Sequence, residues 1–571
     1  MIIEQPESTE ATQGSEGDLA QAALDAINAG LAVGRIGAVE AAAALAAALA
    51  RTSDGVGRAR QFLGELAEVA AGKMVVTPAR GDGRFADPAW RENPVYRRLG
   101  QAYLAASNAI TDAVDGADLD WRRAAQARFA AGILVSALSP TNSLAGNPAA
   151  MRRAVETRGL SLARGARNFA VDARSGLRTP RQVDTRPFTL GENVGATPGA
   201  VVFRNEVVEI IQYAPTTPSV RAVPLLIVWS LINRFYILDL APGRSFIEFA
   251  VSQGFQVFVT SWRNPGRDQA DWDLDTYATA LLEAMAAVKQ IAGSEEIGTM
   301  GLCAGGQLLA ALLAVLAERA GPAHHCESVR YACFGVSQLD MSVPSPAAMA
   351  FARPVPTLAR MGSRMAGVVD GRDLAAMFSW LRPDELVWSY WVNNYLMGQD
   401  PPAFDILAWN SDTTRLPGAL QGQLLTIAEE NALAVPGGMS LLGTSVDLSK
   451  AKLDSYVIGA ETDHLVPWRG TYRTTQLLGG DSTFVLSGGG HIQHLVNPPG
   501  NPKARYRLGP APGPDPDAWA GESEEHRGSW WGHWSDWVSA RSGKLKRPKK
   551  TLGSVQHPPI EPAPGSYVRQ K

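Results

Sequence analysis

The chain has 571 residues, with 46% apolar and 19% charged side chains and a formal net charge of −3. That apolar share supports a sizeable core, while the near-neutral balance excludes bulk electrostatic binding of nucleic acid. Three Cys cannot build a disulfide framework and point to a reducing compartment.

Residues 1–18 are acidic and polar, the composition of a disordered segment. Glu4, Glu7, Glu10, Glu16 and Asp18 precede the first basic residue, Arg35, so the basic leader of an exported protein is missing. The Ala and Leu run from Ala41 to Ala50 is too short to span a bilayer and reads as an amphipathic helix. These features predict a cytoplasmic protein with no transmembrane segment. From Leu19 to about Leu190 the texture is helical and rich in Ala, Leu and Arg. It breaks at Gly55-Val56-Gly57, Pro78 to Asp87, Pro140-Thr141-Asn142 and Thr179-Pro180.

At Gly199 the texture changes. Val201 to Asn205 and Val207 to Tyr213 read as a strand pair. Short apolar runs follow at Pro224 to Trp229, Val257 to Thr260, Ile297 to Leu302, Tyr331 to Val336, Ser455 to Ile458 and Thr483 to Leu486. Helical patterns lie between several of them, notably Leu274 to Ala292 and Gly306 to Ala320. Strands alternating with helices predict a largely parallel, helix-covered sheet, an α/β class fold. Between Ser342 and about Ser449 the alternation stops, and Trp380, Trp388, Tyr390, Trp391, Tyr395 and Trp409 make the stretch aromatic-rich. Such an insertion predicts a cap on an α/β enzyme. Trp530, Trp534 and Trp537 fall on one helical face and read as core packing. The predicted organisation is an extension at 1–52, a helical N-terminal domain at 53–198 and an α/β core split between 199–341 and 450–540. A cap at 342–449 and a tail at 541–571, basic at Lys544 to Lys550 and then Pro-rich, complete it.

The informative motif is Gly301-Leu302-Cys303-Ala304-Gly305-Gly306, between a predicted strand and a predicted helix. This is the context of a nucleophile elbow, with Cys in place of Ser, and it identifies an α/β-hydrolase fold. Glycines are needed there because side chains would collide with the adjoining strand and helix. The sulfur would project above the sheet beside a helix N-terminus, which favours thiolate. A buried, inert Cys beside a Gly turn is the alternative.

The hydrolase order of nucleophile, acid and then His directs attention downstream. His491, in Ser487-Gly488-Gly489-Gly490-His491, follows the last predicted strand and is the candidate base, with His494 its nearest rival. Asp463 and Asp340 both follow predicted strands and are candidate acids, the strand-to-loop exit favouring Asp463. The oxyanion hole should use the backbone N–H of Ala304 and one from the loop after Pro224 to Trp229, around Ser230 or Leu231. His324-His325-Cys326 and Asp463-His464 lack the second cluster that a metal site needs. Gly81-Asp82-Gly83 lacks the strand and helix of a dinucleotide site, and no P-loop is present. The proposed chemistry calls for no metal or cofactor.

At these residues the chain resembles the poly(3-hydroxyalkanoate) synthases, from about Phe85 to Val538. Gly301 to Gly306 matches their lipase-like box with Cys. The resemblance continues through Asp87-Pro88-Ala89-Trp90, Asn93-Pro94, Pro140-Thr141-Asn142-Ser143, Phe203-Arg204-Asn205 and Ser261-Trp262-Arg263-Asn264-Pro265. Further blocks are Val392 to Leu396, Phe404-Asp405, Trp409-Asn410-Ser411-Asp412, Asp463-His464 with Pro467-Trp468, and Gly490-His491-Ile492. Leu274 to Tyr277, His491 to Gln493 and Asn497 to Arg505 look like the class II, medium-chain type. By position, the resemblance implies Cys303 as the acyl-carrying nucleophile, with Asp463 and His491 as its acid and base. It also implies (R)-3-hydroxyacyl-coenzyme A as substrate, a growing polyester chain, homodimers and residence on cytoplasmic granules. In one place the chain departs: where many relatives carry Val-Pro-Pro, it reads Val228-Trp229-Ser230 before Leu231-Ile232-Asn233. That loop borders the expected acyl entrance, so the choice between short and medium monomers stays open. A Cys-dependent thioesterase or lactone hydrolase and an inactive granule-surface scaffold are the rival readings.

Overall fold

The computed structural model describes residues 55–73, 75–117, 121–321, 328–343 and 367–571. The N-terminal extension at 1–52, His324-His325-Cys326 and part of the predicted cap lie outside the described residues. The chain divides into two compact units, one of Met1–Arg181 with Ser379–Pro401 and one of Gln182–Phe378 with Pro402–Lys571.

The first unit is helical: α1 (Gly55–Ala70), α2 (Pro94–Asp115), α3 (Trp121–Ala137), α4 (Pro148–Glu156) and α5 (Leu160–Arg174). Two starts follow one rule. Asn93 precedes Pro94 and its side chain accepts from Val95 and Tyr96 N–H, while Asn147 precedes Pro148 and accepts from Ala150 N–H. The amide oxygen satisfies helix donors, and proline fills a position whose own N–H has no helical acceptor. Helix α5 buries Ser161, Gly165, Asn168 and Asp172. A Cβ on Gly165 would stand 1.8 Å from the Tyr395 carbonyl oxygen, so only glycine admits this approach. Asn168 Nδ2 donates to the Gln399 carbonyl at 3.0 Å, and Tyr395 OH donates to Asp172 at 2.8 Å.

These contacts correct the predicted 342–449 cap. The aromatic stretch with Trp380, Trp388, Tyr390, Trp391 and Tyr395 belongs to the helical unit, and of the six aromatics only Trp409 stays with the sheet. The helical domain also ends earlier than the expected residue 198, because Gln182 onward joins the second unit and Val194 enters its core.

The second unit is built on an eleven-stranded sheet. Its strands are β1 (Gly199–Arg204), β2 (Val208–Tyr213), β3 (Leu225–Val228), β4 (Val257–Trp262), β5 (Ile297–Leu302) and β6 (Val329–Gly335). They continue with β7 (Asp454–Ala460), β8 (Ser482–Ser487), β9 (Arg505–Leu508), β10 (Glu524–Arg527) and β11 (Glu561–Pro562). The order is β10-β9-β8-β7-β6-β5-β3-β4-β2-β1-β11. Strands β8, β7, β6, β5, β3 and β4 run parallel, with antiparallel strands at both edges. Side chains alternate between two apolar layers. Leu226, Val228, Phe258 and Val457 pack with α7 (Leu274–Ala292) and α8 (Ala304–Ala320). Leu225, Ile227, Val259 and Ile458 share the other layer with Phe246 of α6 (Phe246–Ser252) and with Trp530 and Trp534 of α9 (Trp530–Arg541). Burial on both faces explains why the strands read as continuous apolar runs rather than as alternation.

The tryptophan stripe is core, as expected, and Trp531 joins it: Phe246 lies 5.7, 5.2 and 4.7 Å from the rings of Trp530, Trp531 and Trp534. The expected tail at 541–571 is not a tail. Leu545–Lys546 pair with Val220–Arg221, and Lys546 Nζ donates to the Ala292 carbonyl. Strand β11 then adds to β1. Basic and proline residues suit this edge because it needs few ladder donors.

Candidate active site

Strand β5 ends at Leu302, and α8 begins at Ala304. Cys303 bridges them at φ 53°, ψ −127°, a backbone region that non-glycine residues rarely occupy. Such strain costs about 1–3 kcal/mol and persists only where the surroundings enforce it. Here they do. Cys303 N–H donates to the Gly335 carbonyl at 3.0 Å, and Ser337 Oγ donates within 3.1 Å of both the Cys303 and Gly335 carbonyls. Each glycine of the motif answers a specific neighbour. An added Cβ would lie 2.6 Å from Gly306 Cα at Gly301, 2.4 Å from the Trp229 carbonyl oxygen at Gly305 and 2.0 Å from Ser337 Oγ at Gly306.

Two loops at the carboxyl ends of β7 and β8 bring Asp463 and His491 together. His491 Nδ1 and Asp463 Oδ2 are 2.7 Å apart, and both residues are buried. Asp463 is fixed from behind, its other oxygen accepting from Leu465 N–H at 2.8 Å and Val466 N–H at 2.9 Å. Burial pushes the Asp463 carboxyl up, but His491 and these two amides outweigh it and hold the group below its usual range. For His491, burial pushes the pKa down, and the Asp463 charge and hydrogen bond with the Cys303 contact raise it instead, to about 10. The carboxylate therefore orients the ring through Nδ1 and stabilises its protonated form, leaving Nε2 for the thiol.

The rivals are occupied elsewhere. Asp340 binds Arg473, accepts from Ser342 N–H at 2.8 Å and takes a hydrogen bond from Asn431 Nδ2 at 2.9 Å. Burial works against its ionisation, but these donors keep the carboxyl below its usual range. His494 is fully buried, and burial followed by the nearby His491 charge lowers its pKa to about 4. It is a neutral core residue stacked on Trp530. No group of His, Cys, Asp and Glu among the described residues could hold a metal ion.

Ala304 is the first residue of α8, so its N–H has no intrahelical acceptor. Leu231 is buried in the loop after β3, and among the described residues its N–H has no protein acceptor. That loop is braced by Trp229. Trp229 N–H donates to Thr260 Oγ1 at 2.9 Å, a bond that proline could not make, and its indole donates to the Asn233 carbonyl at 3.0 Å. Trp262 donates to the Trp229 carbonyl and Trp409 to the Arg234 carbonyl. Sequence reasoning missed Ser337 and Thr260. They lie on different strands or strand ends, and only the parallel pairing of β5 with β6 and of β3 with β4 brings them to these loops.

Comparison with known proteins agrees with this architecture. Residues 81–250 match the family described as the N-terminus of poly-beta-hydroxybutyrate polymerase (PhaC), and residues 240–498 match the alpha/beta hydrolase fold. The chain is 45% identical over 505 residues to poly(3-hydroxyalkanoate) polymerase 2 of Ectopseudomonas oleovorans, covering 88% of this chain and 89% of that one. Polymerase 1 of the same organism is 41% identical, covering 89% and 90%. The poly(3-hydroxyalkanoate) polymerase subunit of Cupriavidus necator is 38% identical, covering 88% and 85%. The chain belongs to the poly(3-hydroxyalkanoate) polymerase family.

Proposed function

We propose that this family member polymerises (R)-3-hydroxyacyl-coenzyme A into polyester through an acyl-enzyme on Cys303, with His491 as general base and Asp463 as its acid partner. The observation that carries the reading is the strained Cys303 turn facing a buried His491–Asp463 pair. The thiol proton passes to His491 Nε2, and sulfur attacks the thioester carbonyl. The amides of Ala304 and Leu231 hold the oxyanion of the tetrahedral intermediate. As the bond to coenzyme A sulfur breaks, that sulfur takes the proton from His491 and leaves as free thiol. Sulfur-for-sulfur exchange is nearly balanced in energy, so this half needs little driving force.

In the second half, a 3-hydroxyl gives its proton to His491 while its oxygen attacks the acyl–Cys303 carbonyl. An ester bond forms, the carbon–sulfur bond breaks, and the proton returns to Cys303. Water must be kept from that carbonyl, and the tryptophan-braced loop after β3 is suited to this. The resemblance further supports a homodimer on the surface of cytoplasmic polyester granules, for which sedimentation and granule fractionation are the checks. No helix among the described residues is long and apolar enough to cross a membrane.

The test supplies purified protein with (R)-3-hydroxybutyryl- and (R)-3-hydroxyoctanoyl-coenzyme A and follows thiol release and product together. Thiol release with insoluble polyester, lost in Cys303→Ala, is the expected result, and the better thioester fixes the monomer class. Release of free hydroxy acid alone would make the protein a thioesterase.

A further inference from the structure

Three stretches singled out in the sequence take no part in the Cys303–His491–Asp463 set: Phe203 to Asn205, Ser261 to Pro265 and Trp409 to Asp412. Within the α/β unit all three converge on residues 561–571. Arg204 donates to Ser566 Oγ at 3.0 Å and pairs with Glu561, while Tyr567 OH donates to the Asn205 carbonyl at 2.6 Å. Asn264 N–H donates to Gln570 Oε1 at 3.2 Å, and Lys571 Nζ lies 3.6 Å from Asp412.

The centre of this convergence is Arg234, only 3% exposed, at the end of the loop that carries Leu231. Its guanidinium donates to the Tyr567 carbonyl at 3.2 Å and to the Gln570 carbonyl. Its Nε lies 3.8 Å from Asp412 Oδ1, beyond hydrogen-bond reach. Beside it is a cavity of about 10 Å³, bounded by Leu231, Asn233, Arg234, Ser261, Thr414 and Val568 among others. Four of these residues carry a buried polar atom with no protein partner: Asn233 Oδ1, Arg234 Nε, Ser261 Oγ and Thr414 Oγ1. Donors and acceptors are mixed, and the volume suits one water, which needs two to four such partners.

We propose that residues 567–571, with one water bound by Asn233, Arg234, Ser261 and Thr414, position the Trp229–Arg234 loop for acyl transfer. The loop is pinned at both ends. At Trp229 its carbonyl oxygen lies so near Gly305 of the nucleophile turn that an added Cβ would stand 2.4 Å from it. At Arg234 it is held by residues 567–571 and the water. A shift at the second end displaces the Leu231 amide from a fixed Cys303, which weakens oxyanion binding in the transition state more than substrate binding. These are positioning residues, and the inference rests on the acyl-transfer reading above.

The test compares Thr414→Val, Thr414→Ser and a chain lacking residues 567–571, measuring kcat and KM for coenzyme A release from (R)-3-hydroxyacyl-coenzyme A. Loss of one water-mediated bond predicts kcat about fivefold lower in Thr414→Val with KM unchanged, and Thr414→Ser at the parent value. The shortened chain, where it folds by circular dichroism, should lose at least about tenfold more. Unchanged kcat in Thr414→Val, or an equal loss in Thr414→Ser, overturns the proposal, and the Thr414 pair decides alone if the shortened chain does not fold. A high-resolution crystal structure should show a water within 3.2 Å of at least three of the four atoms; an empty or apolar-filled cavity would overturn it too. Absence of Cys303-dependent release from the parent protein would instead defeat the acyl-transfer reading itself.

Discussion

The two units hold themselves together by opposite means. In the α/β unit, β3 and β5 are buried along their whole length, and apolar side chains fill both faces of the sheet. In the helical unit, α5 buries Ser161, Gly165, Asn168 and Asp172 and leaves Leu160, Phe169 and Val171 exposed at 61%, 51% and 40%. Nine of the fourteen exposed large apolar residues among those described lie between Leu63 and Leu177, so the contrast extends beyond α5. The sheet therefore rests on area removed from water, which tolerates small shape changes. Helix α5 rests on close backbone approach and buried polar bonds, which do not.

The largest expected effects strike the sheet unit's chemistry. Cys303→Ala should lower coenzyme A release by about 10³-fold or more without lowering Tm. Asp463→Asn should cost about 10²–10⁴-fold, because the ring loses the acceptor that fixes its orientation. Asp340→Asn, cut from Arg473 and Asn431, should lower Tm but leave kcat within about threefold. Equal kinetic losses in the two Asp variants would break the distinction between them.

The same pair has a pH signature. Folding raises the His491 pKa from 6.5 to about 10, so its contribution to stability is complete below about pH 6.5 and lost as pH rises through 10. Folding lowers that of Asp463, so its contribution is present above about pH 3.8 and lost as pH falls further. The Tm gap between parent and Asp463→Asn should thus be widest near pH 5–6 and narrow towards pH 10. A gap that grows with pH would contradict the assignment.

Steric variants probe one tight approach in each unit. Gly306→Ala, meeting Ser337 Oγ, and Gly165→Ala, meeting the Tyr395 carbonyl, should each cost about 2–3 kcal/mol. Hydrogen exchange should show the second loss confined to residues 160–175 and 391–400. The smallest effect belongs to the exposed face of α5, where Leu160→Ser should change stability by no more than about 0.5 kcal/mol. A loss of several kcal/mol there would mean that the face is covered in solution.

Legibility followed the same divide. Strand β5 and helix α7 have the bounds that the apolar runs predicted, and the elbow lay between a strand and a helix as its glycines required. Where burial is apolar and periodic, residue type reports position. Strands β9 and β10 escaped notice because Arg505 to Leu508 and Glu524 to Arg527 are charged edge segments without an apolar run. The placement of Trp391 and Tyr395 in the helical unit was equally hidden, since it depends on glycines at 165 and 398 that admit a distant backbone. Residues 561–571 read as a tail because their partners, Arg204, Arg234 and Asn264, are scattered polar residues with no shared pattern. Motif and strand order made Cys303, Asp463 and His491 the candidates, whereas Ser337 and Thr260 carried no signal short of the folded sheet.

The most direct measurement of the central claim is intact-protein and peptide mass spectrometry after brief mixing with (R)-3-hydroxyacyl-coenzyme A. A 3-hydroxyacyl adduct on the Cys303 peptide should appear with thiol release, accumulate in His491→Gln less than in the parent, and vanish in Cys303→Ala. Thiol release and polymer growth that persist in Cys303→Ala, or an adduct on Cys333 alone, would contradict the account.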